Sequence, residues 1–253
     1  MRSFKLLSIV LIIITGFTFT KTPVLPEATQ QASTLQGAWR LVSTDASSGK
    51  EPLTAVKIYS DNFFMVSYYD LSGKNFISST GGTYSFKDGK YTETIEFNTA
   101  ESLEVGNTIN FSAAMKKQDL KLTDSRTKKE EVWMRIEEPA NSPLAGAWRI
   151  TGREQNGQIS PMQQGPRKTI KILSGSRFQW AAFNTETKQF SGTGGGTYTA
   201  KDGNYTESIE FFSRDGNRVG SSLTFKYEVK GNDWHHSGLS STGNKIYEVW
   251  SKQ

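Results

Sequence analysis

The feature that most constrains the fold of this 253-residue chain is an internal repeat. Residues 57–105 recur without a gap 114 positions later, at 171–219, and shorter matches flank this block on both sides. Self-similarity on this scale marks a repeat architecture, with each copy forming one structural unit. The sequence therefore predicts two tandem domains, at residues 35–138 and 143–253, which are joined by a short linker and each hold their own core.

Both copies have the pattern of β-strands. In copy one, apolar and polar residues alternate over short segments bounded by turn residues, which is typical of half-buried strands. The predicted strands are 37–44, 54–60, 62–70, 76–86, 90–98, 107–115, 118–124 and 128–136. An Asp-Gly pair, which favours a tight hairpin, stands between two of them and recurs in copy two. About eight hairpinned strands per copy predict two antiparallel up-and-down β-barrels, because closure removes exposed sheet edges.

The first strand of each copy carries the same tripeptide, Gly37-Ala38-Trp39 and Gly146-Ala147-Trp148. A Gly-x-Trp on the first strand of an eight-stranded repeat resembles the lipocalins of the calycin superfamily, in particular the lipocalin-like domains of exported bacterial proteins. In lipocalins a basic residue near the last strand covers this tryptophan at the closed end of the barrel. Arg135 and Lys252 are the nearest matches. We therefore interpret Gly37, Trp39, Gly146 and Trp148 as a structural motif, with the tryptophans as core plugs.

The N-terminus has the pattern of an export signal. Two positive residues precede a short apolar stretch, Leu6 to Phe19, which is shorter than the ~20 residues that a spanning helix needs. Residues 1–22 are predicted to form a signal helix that is cleaved or kept as an anchor, and residues 23–34 a linker. The expected location is periplasmic or secreted, with membrane contact only through an uncleaved N-terminal segment.

Composition and spacing exclude several kinds of chemistry. The chain has no cysteine, so thiol catalysis, disulfides and Cys-ligated zinc are ruled out. The net charge of +5 comes from scattered residues, which we interpret as solvated strand edges and turns and not as a nucleic-acid surface. His235 and His236 point to opposite faces of a strand and cannot share a metal. We predict no catalytic residue, metal or cofactor, and interpret the glycine run Gly192–Gly196 as a bulge or barrel corner.

The third strand of each copy indicates which residues face the barrel interior, because alternate residues point to opposite faces. In copy two the apolar set is expected inside: Phe178, Trp180 and Ala182. The 114-residue offset transfers that face to copy one: Phe64, Val66 and Tyr68. The remaining residues form an outward apolar stripe: Phe63, Met65 and Tyr69. This stripe predicts either domain–domain packing or self-association, with a misread register as the alternative.

The fifth strand places a glutamate inside each barrel. Tyr91, Glu93, Ile95 and Phe97 share the predicted inward face, and Glu207 is the equivalent glutamate of copy two. A buried carboxylate needs an Arg, a Lys, tyrosyl hydroxyls or water as a partner. The candidate ligand-binding residues are the polar and aromatic side chains that we expect inside the barrels: Glu93, Tyr84, Tyr91, Tyr68, Glu207, Tyr198, Tyr205, Trp180 and His236.

Three functions fit these features. The first is a binding module that holds a small apolar or amphipathic ligand in one or both barrels. The second is a non-catalytic structural or interaction protein of the cell envelope, with filled barrels. The third is an isomerase-type enzyme that uses Glu93 or Glu207 as a general base. An internal cavity beside these glutamates would favour the first or third, whereas solid barrels would favour the second.

Overall fold

A computed structural model describes residues 35–42 and 53–253 of the chain. This part of the chain forms two antiparallel β-barrels in tandem, with two short 3₁₀ turns and no α-helix. It contains no helix with the length and apolar character needed to cross a membrane. The predicted signal segment 1–22, the linker 23–34 and the last two residues of the predicted strand 37–44 lie outside the described residues.

Barrel 1 consists of eight strands that close on themselves. Each strand pairs with the next, and β8 returns to β1, where Trp39 lies opposite Arg135. The strands are β1 Gly37–Leu41, β2 Thr54–Ser60, β3 Phe63–Asp70, β4 Asn75–Lys87, β5 Lys90–Asn98, β6 Thr108–Lys116, β7 Asp119–Asp124 and β8 Glu130–Arg135. The predicted barrel is therefore confirmed, and β2 to β8 begin and end within two residues of the predicted bounds.

Barrel 2 repeats this order and adds one short strand. The strands are β9 Gly146–Gln155, β10 Gln158–Pro161, β11 Arg167–Leu173, β12 Arg177–Asn184, β13 Phe190–Lys201, β14 Asn204–Phe212, β15 Ser222–Lys230, β16 Asp233–Leu239 and β17 Lys245–Lys252. Strands β9 and β17 pair to close the barrel, while β10 pairs with the end of β9. Asn156 and Gly157 both have positive φ, as a tight two-residue hairpin requires, and this turn creates the ninth strand.

A glycine pair forms the same bulge in both barrels, which confirms the interpretation of the glycine run. The register shifts between Gly81 and Gly82 and again between Gly195 and Gly196. A Cβ atom on Gly82 would lie 2.0 Å from a backbone oxygen of β5, so no side chain fits there. The residue that the shift skips reverses the faces of the strand beyond it. Phe97 consequently lies outside barrel 1, and the prediction that it faces inward is wrong.

The two barrels pack side by side through an apolar surface that we call the seam. Strand β3 has the predicted faces, with Phe64 and Val66 inside barrel 1 and Met65 and Tyr69 in the seam. The buried apolar residues of the seam come from both barrels: Ala38, Val56, Ile58, Met65, Tyr69, Phe97, Ala147, Ile170, Ile172, Ala181, Phe183 and Phe211. Burial of a large apolar side chain contributes about 1.5 to 3 kcal/mol, so this surface joins the barrels firmly.

Polar contacts fix how the barrels meet across the seam. The Gln179 side-chain amide donates to Ser79 Oγ at 2.8 Å and to Thr193 Oγ1 at 3.1 Å, both in buried surroundings. Lys168 of barrel 2 forms an ion pair with Glu96 of barrel 1 at 2.5 Å. Because unpaired buried polar groups are costly, these bonds allow only a narrow set of relative positions.

Both barrels point the same way. Their closed ends, where β1 and β9 begin, are tied together: the Ala147 backbone N–H donates to Asp61 Oδ2 at 2.9 Å, and the Ala38 N–H donates to Glu138 Oε2 at 3.0 Å. At the opposite ends, the backbone near Gly216 of barrel 2 approaches the β3–β4 turn of barrel 1 at Lys74. These opposite ends, which we call the mouths, therefore lie on one face of the molecule.

Candidate functional site

The tryptophans of the repeated tripeptide form the floor of each barrel. Trp39 is fully buried, its indole N–H donates to Leu35 O at 2.9 Å, and the Arg135 guanidinium lies 4.2 Å from its ring centre. Trp148 makes the same bond to Leu144 O at 2.9 Å. Gly37 has φ +117°, a conformation that other residues rarely adopt, so the tripeptide needs its glycine.

A buried ion pair occupies the centre of barrel 1. Lys57 Nζ lies 2.8 Å from Glu93 Oε1, and the Tyr91 hydroxyl donates to the same oxygen at 2.5 Å. Burial alone would lower the pKa of Lys57, but Glu93 raises it above its usual value, so the lysine is charged. Four aromatic rings surround the ammonium group at 5.0 to 6.0 Å from their centres: Trp133, Phe64, Tyr59 and Tyr91.

Barrel 2 repeats this centre at equivalent positions. Lys171 Nζ lies 2.7 Å from Glu207 Oε1, and the Tyr205 hydroxyl donates to that oxygen at 2.9 Å. Four rings again surround the ammonium group, at 5.2 to 5.7 Å: Trp250, Tyr205, Trp234 and Phe178. The interpretation of all basic residues as solvated is therefore wrong for Lys57 and Lys171, since each is needed to balance a carboxylate that the fold buries.

The structure brings together only some of the predicted site residues. Tyr91 and Tyr205 contact the glutamates, but the other two candidate tyrosines bond elsewhere. The Tyr84 hydroxyl donates to Asp61 O at 3.0 Å, and the Tyr198 hydroxyl donates to Ser174 O at 2.6 Å, both towards the closed ends. Their strand positions are opposite the glutamates, but their side chains reach the neighbouring turn instead. Two further candidates are half-buried and pack against the barrel cores: Tyr68 and Trp180.

Barrel 2 contains buried polar atoms without partners. His236 is 3% exposed; its Nδ1 lies 3.5 Å from Glu248 Oε2, and its Nε2 has no hydrogen-bond partner among the described residues. The indole N–H of Trp234, two residues earlier on β16, is also buried and unpaired. Burial lowers the pKa of His236 below its usual value, so the imidazole is neutral at pH 7. The interior of barrel 2 thus offers the Trp234 N–H and His236 Nε2, which no protein group among the described residues satisfies.

Glu248 connects this region to the surface. The Trp250 indole donates to Glu248 Oε2 at 3.1 Å, and Arg153, whose side chain is half-exposed, forms an ion pair with Oε1 at 3.0 Å. Burial alone would raise the pKa of Glu248, but His236, Arg153 and Lys171 lower it below its usual value. The carboxylate of Glu248 is therefore ionised, held and electrically balanced.

The equivalent glutamate of barrel 1 has a different environment. Trp133 donates to Glu131 Oε2 at 3.0 Å, as Trp250 does to Glu248. The residue opposite Glu131 on β7 is Leu122, however, where barrel 2 has His236. In the part of the chain that the structure describes, no Lys or Arg forms an ion pair with Glu131. Burial, and after it the charge of Glu131, raise the pKa of Tyr68 to about 12.

A cleft of about 630 Å³ lies between the closed ends of the barrels. Its lining includes Arg135 and Glu138, and Glu138 Oε1 accepts bonds from Ser174 and Ser176 while Oε2 binds Ala38. These groups hold the barrels together, so the cleft is explained by the packing of the two domains. Among residues 35–42 and 53–253, no three His, Asp or Glu side chains are grouped to hold a metal.

Comparison with known families gives one match, and it repeats. A family model described as Domain of unknown function (DUF4488) matches residues 34–144 and again residues 143–252. The two matches coincide with the two barrels. No curated protein matches the chain.

Proposed function

We propose, on the premise that the chain belongs to the DUF4488 family in tandem duplicate, that it is an exported, non-catalytic, lipocalin-like binding protein. Its ligand is a small amphipathic molecule that enters a barrel through the mouth. One observation carries the proposal: two buried hydrogen-bonding atoms, Trp234 Nε1 and His236 Nε2, have no partner within the aromatic interior of barrel 2. Such atoms are costly unless a bound molecule satisfies them.

The side chains inside barrel 2 indicate the chemical character of the ligand. The apolar body of the ligand contacts rings such as Phe225, whose centre lies 4.2 Å from that of His236. Its polar group accepts from the Trp234 indole and exchanges a hydrogen bond with the neutral imidazole of His236. A site with an apolar body and a few oriented polar groups is typical of small-molecule binding. The charges of Lys171 and Glu207 cancel each other, so a neutral polar group fits best.

Native mass spectrometry of the purified protein tests this proposal. We expect a retained small molecule on the wild type and its loss in His236→Leu, which copies the residue that barrel 1 has at that position. The matched control is His235→Gln, because His235 points the other way and contacts Tyr247 Oη at 3.0 Å. The proposal is contradicted if the mildly purified wild type shows no mass beyond that of the chain and an experimental structure shows only ordered water beside His236.

A structural or interaction role with filled barrels is the second candidate. It is supported by the large side chains that fill the interiors, since Trp39, Trp133 and Trp234 are completely buried. The enzyme proposal has less support, because Oε1 of both Glu93 and Glu207 already accepts bonds from a lysine and a tyrosine. A carboxylate that serves as the counter-ion of a buried lysine is a poor general base, because its protonation would leave the lysine charge unpaired.

A further inference from the structure

We infer that barrel 1 binds a cationic amphiphile, a primary or secondary ammonium group on an apolar chain, with Glu131 as the counter-ion near its mouth. This inference rests on the proposed binding function and assigns the two barrels different ligands. Glu131 and Glu248, the equivalent carboxylates of the two interiors, each accept a hydrogen bond from an indole N–H, but among the described residues Glu248 alone has an ion pair with an arginine.

The two barrels differ in the cations that pair with their interior carboxylates. In barrel 2, the negative charges of Glu207 and Glu248 are matched by Lys171 and Arg153. In barrel 1, Lys57 is paired with Glu93, and Glu131 has no cation of its own among the described residues. Arg135 lies four residues after Glu131 on β8, at the closed end of the barrel, where its guanidinium group stacks over the Trp39 ring. Among the described residues, Glu131 therefore lacks the ion pair that Arg153 gives Glu248, and a ligand cation would supply it.

The mouths of the two barrels differ in how many apolar side chains they expose. Five apolar residues around the mouth of barrel 1 are between 41% and 75% exposed: Val42, Leu53, Leu71, Ile77 and Leu103. Their equivalents in barrel 2 are all polar: Thr151, Arg167, Thr185, Ser191 and Asn217. Exposed apolar residues that cluster around an opening mark a surface that contacts an apolar partner. The mouth of barrel 2 has two exposed apolar residues of its own, Ile159 and Leu239, against these five in barrel 1, so the mouth of barrel 1 suits an apolar chain better.

Five half-buried apolar or aromatic side chains pack against the core of barrel 1: Leu41, Tyr68, Ile109, Phe111 and Ala113. The Trp133 indole donates to Glu131, and aromatic rings attract ammonium groups. A metal ion is a poor alternative, because a single carboxylate does not supply the several oxygen ligands that Ca²⁺ or Mg²⁺ requires.

Calorimetric titration of the full protein with three ten-carbon probes tests the inference. Decylammonium is expected to bind more tightly than decanol, and decanoate more weakly than either. Glu131→Gln keeps the shape of the side chain and removes its charge. We expect this variant to lose about tenfold to a hundredfold in decylammonium affinity, as for a hydrogen bond to a charged group, while decanol binding stays unchanged.

The matched control is Glu130→Gln. Glu130 is the preceding residue on β8, points outward and pairs with Lys121 at the surface, so its loss should leave all three affinities unchanged. Equal wild-type affinity for decylammonium and decanol would overturn the inference, as would equal effects of the two glutamate substitutions. The proposed function is tested separately, by the His236-dependent retention of a molecule in barrel 2. Failure of the calorimetric test on barrel 1 therefore does not decide that measurement.

Discussion

The two barrels share a framework and differ in what surrounds it. Both have a floor tryptophan bonded to a backbone oxygen and a lysine–glutamate–tyrosine centre ringed by aromatic side chains. They differ on the strand paired with Glu131 in barrel 1 and with Glu248 in barrel 2. Barrel 1 has Leu120 and Leu122 on this strand, and barrel 2 has Trp234 and His236. The shared features hold each barrel in shape, and the differences show where each barrel has its own chemistry.

Removal of a central lysine should have the largest effect. Lys57→Met leaves Glu93 buried without a cation and is expected to lower the free energy of unfolding by about 3 to 5 kcal/mol. Lys171→Met should have a similar effect, because the two centres have matching distances and burial. Urea denaturation of both variants measures this, and a difference of more than about 2 kcal/mol would show that the two centres are not equivalent.

A double substitution serves as the control. Lys57→Met combined with Glu93→Leu removes both charges and fills the space with apolar groups. Replacement of a buried ion pair in this way is often neutral or stabilising. The double variant should therefore recover most of the stability that the single variant loses. If it is as unstable as Lys57→Met, the lost stability comes from packing and not from an unpaired charge.

Mild acid should affect barrel 2 through His236. Burial holds the folded pKa of His236 below its usual value of 6.5, so the unfolded chain takes up a proton first as the pH falls. The contribution to stability is complete above about pH 6.5 and is lost below it, by at most about 1.4 kcal/mol per pH unit. Thermal unfolding at pH 7.5 and 5.5 measures the loss.

His236→Leu should flatten this pH dependence, because barrel 1 has a leucine at the equivalent position and no titrating group there. Glu248 does not titrate in this pH range, because its pKa lies below its usual value of 4.5. An unchanged slope in His236→Leu would mean that another group is responsible.

The smallest effect on stability is expected from Arg153→Gln. Arg153 is half-exposed, so its ion pair with Glu248 contributes at most about 1 kcal/mol. The substitution should make the mouth of barrel 2 more like that of barrel 1 and add a second, weaker decylammonium site. The stoichiometry in calorimetry would rise from one towards two. Arg167→Gln, at an exposed position of the same mouth, is the control that should change neither quantity.

Much of the fold follows from the local pattern. Strand bounds, the closed barrel and the faces of β3 all depend on alternation and turn residues within a few positions. Phe97 shows the limit of such reasoning. The bulge beside Gly82 reverses the strand faces, and a glycine pair in the sequence indicates a bulge without saying which neighbour it displaces.

The site was less predictable, for a physical reason. The sequence predicted interior positions for Glu93 and Glu207, but it left their partners open among arginine, lysine, tyrosine and water. Strand β2 is buried on both faces, inside the barrel and in the seam, so alternation could not assign a side to Lys57. The available indication was that a lysine recurs at the same place within two otherwise apolar strands.

The seam has a consequence for how the two copies can change. A product that contained one copy alone would turn Met65 and Phe97, or Ile172 and Phe183, towards water. It would have to pair with itself or precipitate, so the gene cannot lose either copy without cost. Each barrel keeps a separate interior, where substitutions such as Leu122 for His236 disturb no residue of the other copy. The duplicated chain is therefore free to diversify within its barrels while the contact between them stays fixed.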